Sequence, residues 1–207
     1  MSRPSLLRPT LLSAVALLAA AAPHALRAQV PAAPAAPAAP APTPAAPTTP
    51  APEVGQPAPD FTLAWADASG ARATPVSLAA HRGKVVVVAF YPKDRTTGCT
   101  AELTKFRDEF DALFGKDVVV LPISADSVAT HTDWAKEMKF PFALVSDPHL
   151  SVADAYGSHA PGRPTSGRTV FVIGKDGTIA WRDLRFNALN EGAYQALAAA
   201  VAKARGA

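Results

Sequence analysis

The chain contains one cysteine, Cys99, and its sequence neighbours could make this thiol reactive. A run of β-forming residues at 85–91 leads into the segment around it, and an amphipathic helical pattern at 99–114 leads out. This order predicts that the sulfur lies in the first turn of a helix that follows a strand. Free N–H groups and the helix dipole stabilise a thiolate at that position. A lone cysteine in an arbitrary protein is usually an inert buried side chain, so the inert alternative has to be weighed against the reactive one.

Other groups that carry chemistry are sparse in the sequence. A single cysteine excludes an internal disulfide and a metal site built from several cysteines. The histidines have no metal-ligand spacing, and the sequence has no glycine-rich phosphate loop, so we expect no metal and no other cofactor. His131 lies one helical turn before Trp134, and we expect it on the exposed surface of its helix.

The distribution of charge argues against a nucleic-acid partner. The formal net charge is +3, but three arginines fall within the first 28 residues, which contain no acidic residue. From Glu53 onward the chain has 17 basic and 17 acidic residues. The globular part is therefore neutral, and we interpret local charged runs such as 136–139 as solvated helix faces.

The first 52 residues are predicted to be a targeting segment followed by a spacer. Two arginines precede an apolar run at 11–22, and small residues follow, which is the pattern of a secretory signal peptide at residues 1–28. A retained membrane anchor is the alternative, although the run is short for a bilayer span. Residues 29–52 are almost entirely Ala and Pro and predict an extended, disordered linker. We therefore expect export, to a bacterial periplasm or out of the cell.

Residues 53–207 have the size of a single globular domain with an α/β pattern. The predicted strands are 61–65, 85–91, 118–124, 142–145, 169–173 and 178–181. The predicted helices are 99–114, one that is capped by Asp126 or Ser127 and ends near Met138, 150–156 and 191–204. Two strand–helix units followed by a hairpin and a terminal helix predict a mixed sheet flanked by helices, which matches the thioredoxin-like architecture. A flavodoxin-like parallel sheet is the alternative, and the hairpin argues against it.

Several motifs, in the same order along the chain, resemble those of the peroxiredoxin family. The segment FYPKDRTTGCT at 90–100 contains Pro-x-x-x-Thr-x-x-Cys and is similar to the bacterioferritin-comigratory, or peroxiredoxin Q, branch. Further matching segments lie at 55–61, 123–126, 142–147, 155–157 and 168–173. The resemblance covers essentially all of 54–201. It implies a thiol-dependent peroxidase, an antioxidant oxidoreductase that reduces hydrogen peroxide and organic hydroperoxides.

The same resemblance implies roles for individual residues. Cys99 would attack the peroxide as a thiolate and become a sulfenic acid. Arg168 would stabilise the thiolate and donate hydrogen bonds to the peroxide, and the Thr96 hydroxyl would orient the reacting oxygen. Pro92 would shield the thiolate from water and from overoxidation. Glu102 would hold the arginine in place, although an acid in the first turn of a helix could equally serve only to stabilise that helix.

One position departs from the pattern of the branch. Many of its members carry a second, resolving cysteine five residues after the first, where this chain has Thr104. The sulfenic acid then cannot form an intramolecular disulfide. The resemblance therefore implies a one-cysteine enzyme of the thioredoxin-dependent type, reduced by an external thiol that is either a thioredoxin-like protein or a low-molecular-weight thiol. We expect a monomer or a weak homodimer.

Two other functions stay open on the sequence alone. An exported thiol–disulfide oxidoreductase would have the same order of strands and helices. That class needs Cys-x-x-Cys, however, and Thr96 stands where the first of those cysteines would be. A non-enzymatic peroxide sensor on the same fold would pass its oxidation to a partner through a mixed disulfide, and a chain without a resolving cysteine suits that function.

Overall fold

The computed structural model of the chain describes residues 49–206. The predicted signal peptide, residues 1–28, and the predicted linker up to residue 48 lie outside the described residues, as does Ala207. Among residues 49–206, no helix combines the length and the hydrophobicity needed to cross a membrane. In chain order the elements are β1 (Thr62–Asp67), β2 (Gly70–Ala71), β3 (Val76–Ser77), β4 (Val85–Phe90), α1 (Thr97–Asp108), α2 (Phe110–Leu113), β5 (Val118–Ser124), α3 (Val128–Met138), β6 (Leu144–Ser146), α4 (Ser151–Ala155), β7 (Thr169–Ile173), β8 (Ile179–Asp183) and α5 (Glu191–Gly206).

The strands form one mixed sheet in the order β2-β1-β6-β5-β4-β7-β8, with β3 paired to β1. β4 and β5 run parallel, in register from Val85 with Val118 to Phe90 with Ile123. β7 runs antiparallel to β4 and pairs its first residue, Thr169, with Phe90. The C-terminal end of β4 and the N-terminal end of β7 therefore meet at the same end of the sheet.

Helices cover both faces of the sheet and bury its central strands. Every residue of β4 is buried, which explains its continuous apolar sequence. Val87 belongs to the hydrophobic cluster on one face, together with Leu103 of α1. Val88 belongs to the cluster on the other face, together with Ala153 of α4. Burial on both faces fixes the position of β4 and, with it, the point at which the chain turns into α1.

The helix predicted at 99–114 is interrupted, so the prediction of one continuous helix is wrong. α1 ends at Asp108 and α2 begins at Phe110, and between them Glu109 has φ −112° and ψ 23°. After this bend, the ring of Phe110 stacks on that of Phe142, with 6.2 Å between the centroids. Packing against a distant segment thus overrides the helical pattern, which continues across the bend in the sequence.

The last residues of the predicted linker contact the folded domain. Arg182 of β8 donates hydrogen bonds from Nη1 to the carbonyl oxygens of Ala51, at 2.9 Å, and of Pro52, at 2.8 Å. Gly157, after α4, has φ +61° and lies so close to Ala51 that a Cβ atom would be 2.6 Å from its nitrogen. Residues 51 and 52 therefore lie against the domain, and the boundary at residue 53 stays a prediction from composition.

We expect Gly157→Ala to lower the free energy of unfolding by about 2–3 kcal/mol, because the left-handed backbone and the contact with Ala51 both oppose a side chain. Gly162→Ala is the matched control, since Gly162 has φ +75° but nothing within 4 Å of its Cβ position. The control substitution should lower the free energy of unfolding by only about 1 kcal/mol. Urea denaturation measures both losses, and equal losses would contradict the contribution of the Ala51 contact.

Candidate active site

Cys99 lies in the first turn of α1, at the end of the sheet where β4 stops. The chain leaves β4 at Phe90, and Thr96, with extended backbone, is the N-cap residue of α1. The Cys99 side chain is 0% exposed and belongs to the hydrophobic cluster that includes Leu103 and Phe106. The sulfur is therefore held out of bulk water, at the end of the helix where backbone N–H groups lack partners within the helix.

Arg168 reaches the sulfur from the neighbouring strand. It directly precedes β7, whose first residue pairs with the last residue of β4. The sheet thus brings together two side chains that are 69 positions apart, and Arg168 Nη2 donates a hydrogen bond to Cys99 Sγ at 3.3 Å. Gly98 leaves the space for this approach, because a Cβ atom there would lie 3.1 Å from the same nitrogen.

Glu102 holds the other side of the guanidinium. It lies one turn after Cys99 on α1, and its Oε2 accepts a hydrogen bond from Arg168 Nη1. Its second oxygen, Oε1, is buried and has no hydrogen-bond partner among the described residues. Burial raises the pKa of Glu102 to about 7, and the opposing effect of the Arg168 charge only limits this rise. The structure therefore joins Cys99, Arg168 and Glu102 in one line of contacts.

The guanidinium keeps its positive charge in this partly buried position. Burial acts to lower the pKa of Arg168, but the charges of Glu102 and of a Cys99 thiolate, with the hydrogen bonds to both, outweigh it and raise the pKa overall. A cysteine at a helix N-terminus beside a fixed cation is the arrangement in which thiols become nucleophiles. The geometry therefore favours a reactive sulfur over an inert one.

Thr96 and Pro92 lie in the loop between β4 and α1. Thr96 is exposed, and its hydroxyl donates a hydrogen bond to the carbonyl oxygen of Lys93 at 3.0 Å. A hydroxyl has one hydrogen, so in this arrangement Thr96 does not also donate to the Cys99 sulfur. Pro92 is half-buried and begins the loop after Tyr91. The orienting role of Thr96 and the shielding role of Pro92 stay predictions.

A cavity of about 570 Å³ lies at the opposite end of the sheet, where β4 and β5 begin, and its lining includes Val85 and Val118. Within residues 49–206, no group of three or more His, Cys, Asp or Glu side chains is arranged to hold a metal ion. We therefore locate the chemistry by the Cys99–Arg168 contact and not by cavity size.

His131, predicted on the exposed surface of its helix, is 0% exposed, so that prediction is wrong. Its Nδ1 lies 2.8 Å from Oδ2 of Asp94, a buried residue of the loop before α1 that the sequence analysis did not single out. The signal for burial was present in the sequence. Trp134 and Ala135 face inward, and position 131 precedes them by three and four residues, on the same face of α3.

Several known proteins are similar to this chain in sequence or in fold. The AhpC/TSA family model matches residues 54–182. A putative peroxiredoxin bcp from Coxiella burnetii is 40% identical over 134 residues, which cover 62% of this chain and 85% of that protein. A chloroplastic peroxiredoxin Q from Oryza sativa subsp. japonica is 37% identical over 128 residues, which cover 61% of this chain and 57% of that protein. The crystal structure of peroxidoxin BcpB from Mycobacterium tuberculosis superposes with a TM-score of 0.62 at 27% identity, covering 73% of this chain and 97% of that one.

The superpositions confirm the predicted thioredoxin-like fold, a mixed sheet flanked by helices. The family match extends over more than half of the chain, from the first strand to the end of the hairpin, and it includes Cys99 and Arg168. The sequence has one cysteine, and Thr104 stands at the position for which the resemblance implies a resolving cysteine. The chain thus belongs to the AhpC/TSA, or peroxiredoxin, family, in its bacterioferritin-comigratory and peroxiredoxin Q branch.

Proposed function

We propose that this peroxiredoxin is a one-cysteine peroxidase for hydrogen peroxide and small organic hydroperoxides. In the proposed step, the Cys99 thiolate attacks one peroxide oxygen and the O–O bond breaks. Cys99 becomes a sulfenic acid, and the leaving oxygen takes a proton and departs as water or as an alcohol. The observation that carries the proposal is the 3.3 Å hydrogen bond from Arg168 Nη2 to the sulfur.

Arg168 is placed to act on both reactants. Its Nη2 contacts the sulfur and its Nη1 is bound by the buried carboxyl group of Glu102, so the orientation of the guanidinium is fixed. A guanidinium has five N–H donors, which leaves donors for a peroxide oxygen after both contacts are made. Negative charge develops on the leaving oxygen as the O–O bond breaks, and a fixed cation stabilises that charge more than it stabilises the neutral peroxide.

The burial of Cys99 supports a small substrate. The sulfur is buried in this structure, so a peroxide reaches it only through a local opening of the structure around it. Residues 95–97, which lead directly into the first turn of α1, are exposed. A short opening there would admit hydrogen peroxide or a small hydroperoxide more readily than a bulky lipid hydroperoxide.

The second half of the cycle requires a thiol from outside the chain, because the sequence has no second cysteine. We propose that an external thiol condenses with the sulfenic acid, which forms a mixed disulfide and releases water, and that a second thiol then restores Cys99 by exchange. A thioredoxin-like protein and a low-molecular-weight thiol both fit this chemistry. The signal-peptide pattern of residues 1–28 supports a further proposal, that the chain is exported and is reduced in a compartment where disulfides persist.

Steady-state peroxide consumption with a panel of thiol reductants tests the proposal, with Cys99→Ser as the control that changes one atom. We expect consumption only in the chain that retains Cys99, and stopped-flow oxidation of Cys99 much faster than that of a free thiol. A rate with hydrogen peroxide no greater than that of a free thiol would contradict the function. In fractionated cells, a mature exported protein that begins at Gln29 is expected, and a cytoplasmic protein that keeps residues 1–28 would contradict export.

A further inference from the structure

We infer that the buried pair Asp94–His131 is a positioning device for the loop that carries Pro92 and Thr96 beside Cys99. The inference rests on the proposed function, because the position of this loop matters to catalysis only if Cys99 reacts with a peroxide. Both residues of the pair would act through the backbone between β4 and α1, and not on the reacting atoms.

The pair is buried too deeply to be an ordinary surface ion pair. The side chains of His131 and Asp94 are 0% and 1% exposed, and Nδ1 lies 2.8 Å from Oδ2. On the other side of the ring, Nε2 lies 3.2 Å from the carbonyl oxygen of Val145. A carbonyl oxygen can only accept, so the contact with Val145 is a hydrogen bond in which Nε2 is the donor. Both nitrogens of the imidazole therefore have partners.

Asp94 is fixed at its other polar groups as well. Its Oδ1 accepts a hydrogen bond from the Tyr91 hydroxyl at 2.7 Å, and its backbone N–H donates to Oδ2 of Asp126 at 2.8 Å. Burial and the charge of Asp94 raise the pKa of Tyr91 well above its usual range, so the hydroxyl keeps the hydrogen that it donates. The middle of the loop is thus attached to the end of β4, to the segment after β5 and to α3.

The residues next to Asp94 are exposed, and one of them is strained. Arg95 has φ +61°, a left-handed conformation that is unfavourable for an arginine. Its ion pair with Glu137 is exposed on both sides and contributes little. A strained turn persists only when its surroundings constrain it, and the buried bonds of Asp94 supply that constraint. The turn also places the Thr96 hydroxyl against the carbonyl group of Lys93, where α1 begins.

The bonds of Asp94 extend through Tyr91 to the segment that carries the arginine. The carbonyl oxygen of Tyr91 accepts a hydrogen bond from the hydroxyl of Ser166, a buried residue two positions before Arg168. The ring of Tyr91 therefore binds the loop on one side of the site, and its backbone binds the Arg168 segment on the other. A loop freed at Asp94 would lose its fixed relation to both Cys99 and Arg168.

Replacing the Asp94 carboxylate by an amide tests the position of the loop separately from the charge of the side chain. In Asp94→Asn, the amide can still accept a hydrogen bond from Tyr91 and can donate one to Nδ1 of His131, so the loop keeps its position while the carboxylate is lost. Asp94→Ala removes both bonds. We expect Asp94→Ala to slow the oxidation of Cys99 by hydrogen peroxide about tenfold, and Asp94→Asn to stay within about twofold of the wild-type rate.

Alkylation of Cys99 by iodoacetamide is the second readout, because a general loss of structure around the thiol would change the alkylation rate as well. Alkylation needs the thiolate but no alignment of a peroxide between Arg168 and the loop, so its rate in Asp94→Ala should equal or exceed the wild-type rate. Asp133→Ala is the control, because Asp133 is an exposed aspartate on the same helix as His131. It should leave both rates unchanged.

Three results would overturn the inference. They are a wild-type peroxide rate in Asp94→Ala, a loss of peroxide rate in Asp94→Asn equal to that in Asp94→Ala, and an alkylation rate of Asp94→Ala that falls as much as its peroxide rate.

If circular dichroism shows that Asp94→Ala does not fold, Tyr91→Phe replaces it, because that change removes only the bond to Oδ1. A fall of about two- to fivefold in its peroxide rate supports the inference, and an unchanged rate overturns it. Failure of the proposed function is distinct, since the wild-type chain itself would then react no faster than a free thiol.

Discussion

Replacement of Arg168 by methionine should slow the oxidation of Cys99 by hydrogen peroxide by about 100- to 1000-fold. The change removes the cation whose Nη2 lies 3.3 Å from the sulfur. The thiolate and the negative charge on the leaving oxygen then lose the same stabilising group. Arg168→Lys should recover only a small part of the rate, because an ammonium group cannot bind Glu102 and the sulfur with the separate nitrogens of one planar fork. Single-turnover stopped-flow measurements give these rates.

Arg163→Met is the matched control for this prediction, because Arg163 is an exposed arginine of the loop that leads to Arg168. It should leave the rate unchanged. Alkylation of Cys99 at neutral pH should fall in Arg168→Met as well, since the thiolate itself loses its counterion, whereas Asp94→Ala should affect only the peroxide reaction. A loss of less than about tenfold in Arg168→Met would mean that the helix N-terminus, and not the arginine, provides most of the activation.

Six of the strands could be predicted from the sequence because each depends on a local pattern, whereas the two-residue strands β2 and β3 are too short to show one. The predicted strands 118–124 and 169–173 coincide with β5 and β7, whose apolar runs are buried on both faces of the sheet. The strand–helix junction at Cys99 follows from the same local signals. The bend at Glu109 could not be predicted from a local pattern. It accompanies the contact between Phe110 and Phe142, which lie far apart along the chain.

The residues of the site differ in how far the sequence alone could place them. The contact of Arg168 with Cys99 spans 69 positions and depends on the antiparallel pairing of β7 with β4, so only the family resemblance pointed to it. The burial of His131 follows from its spacing to Trp134 and Ala135, which places all three on the inward face of α3. The burial of Asp94 depends on partners from three elements that only the completed fold brings together, namely Tyr91, Asp126 and His131.

Glu102→Gln should gain stability relative to the wild-type chain as the pH rises from about 5 to about 8. Burial raises the pKa of Glu102 from its usual 4.5 to about 7 in the folded protein. Between these two values the folded protein retains a proton that the unfolded chain has released, so the stability of the wild-type chain falls as the pH rises. This contribution is complete below about pH 4.5 and is lost by about pH 7, and it amounts to about 3 kcal/mol. Glutamine does not ionise, so the variant has no such dependence.

Urea denaturation of both chains at pH 5, 6, 7 and 8 measures the difference, and Glu137→Gln is the control because Glu137 is an exposed glutamate paired with Arg95. The control should follow the wild-type curve at every pH, and a Glu102→Gln curve parallel to the wild-type curve would contradict the prediction. The glutamine side chain of the Glu102→Gln variant would keep a carbonyl oxygen for Arg168 Nη1, so the rate of Cys99 oxidation should fall by about tenfold at most, far less than in Arg168→Met. Glu102 then determines how the guanidinium is held and how stability depends on pH, whereas Arg168 determines how fast the sulfur reacts.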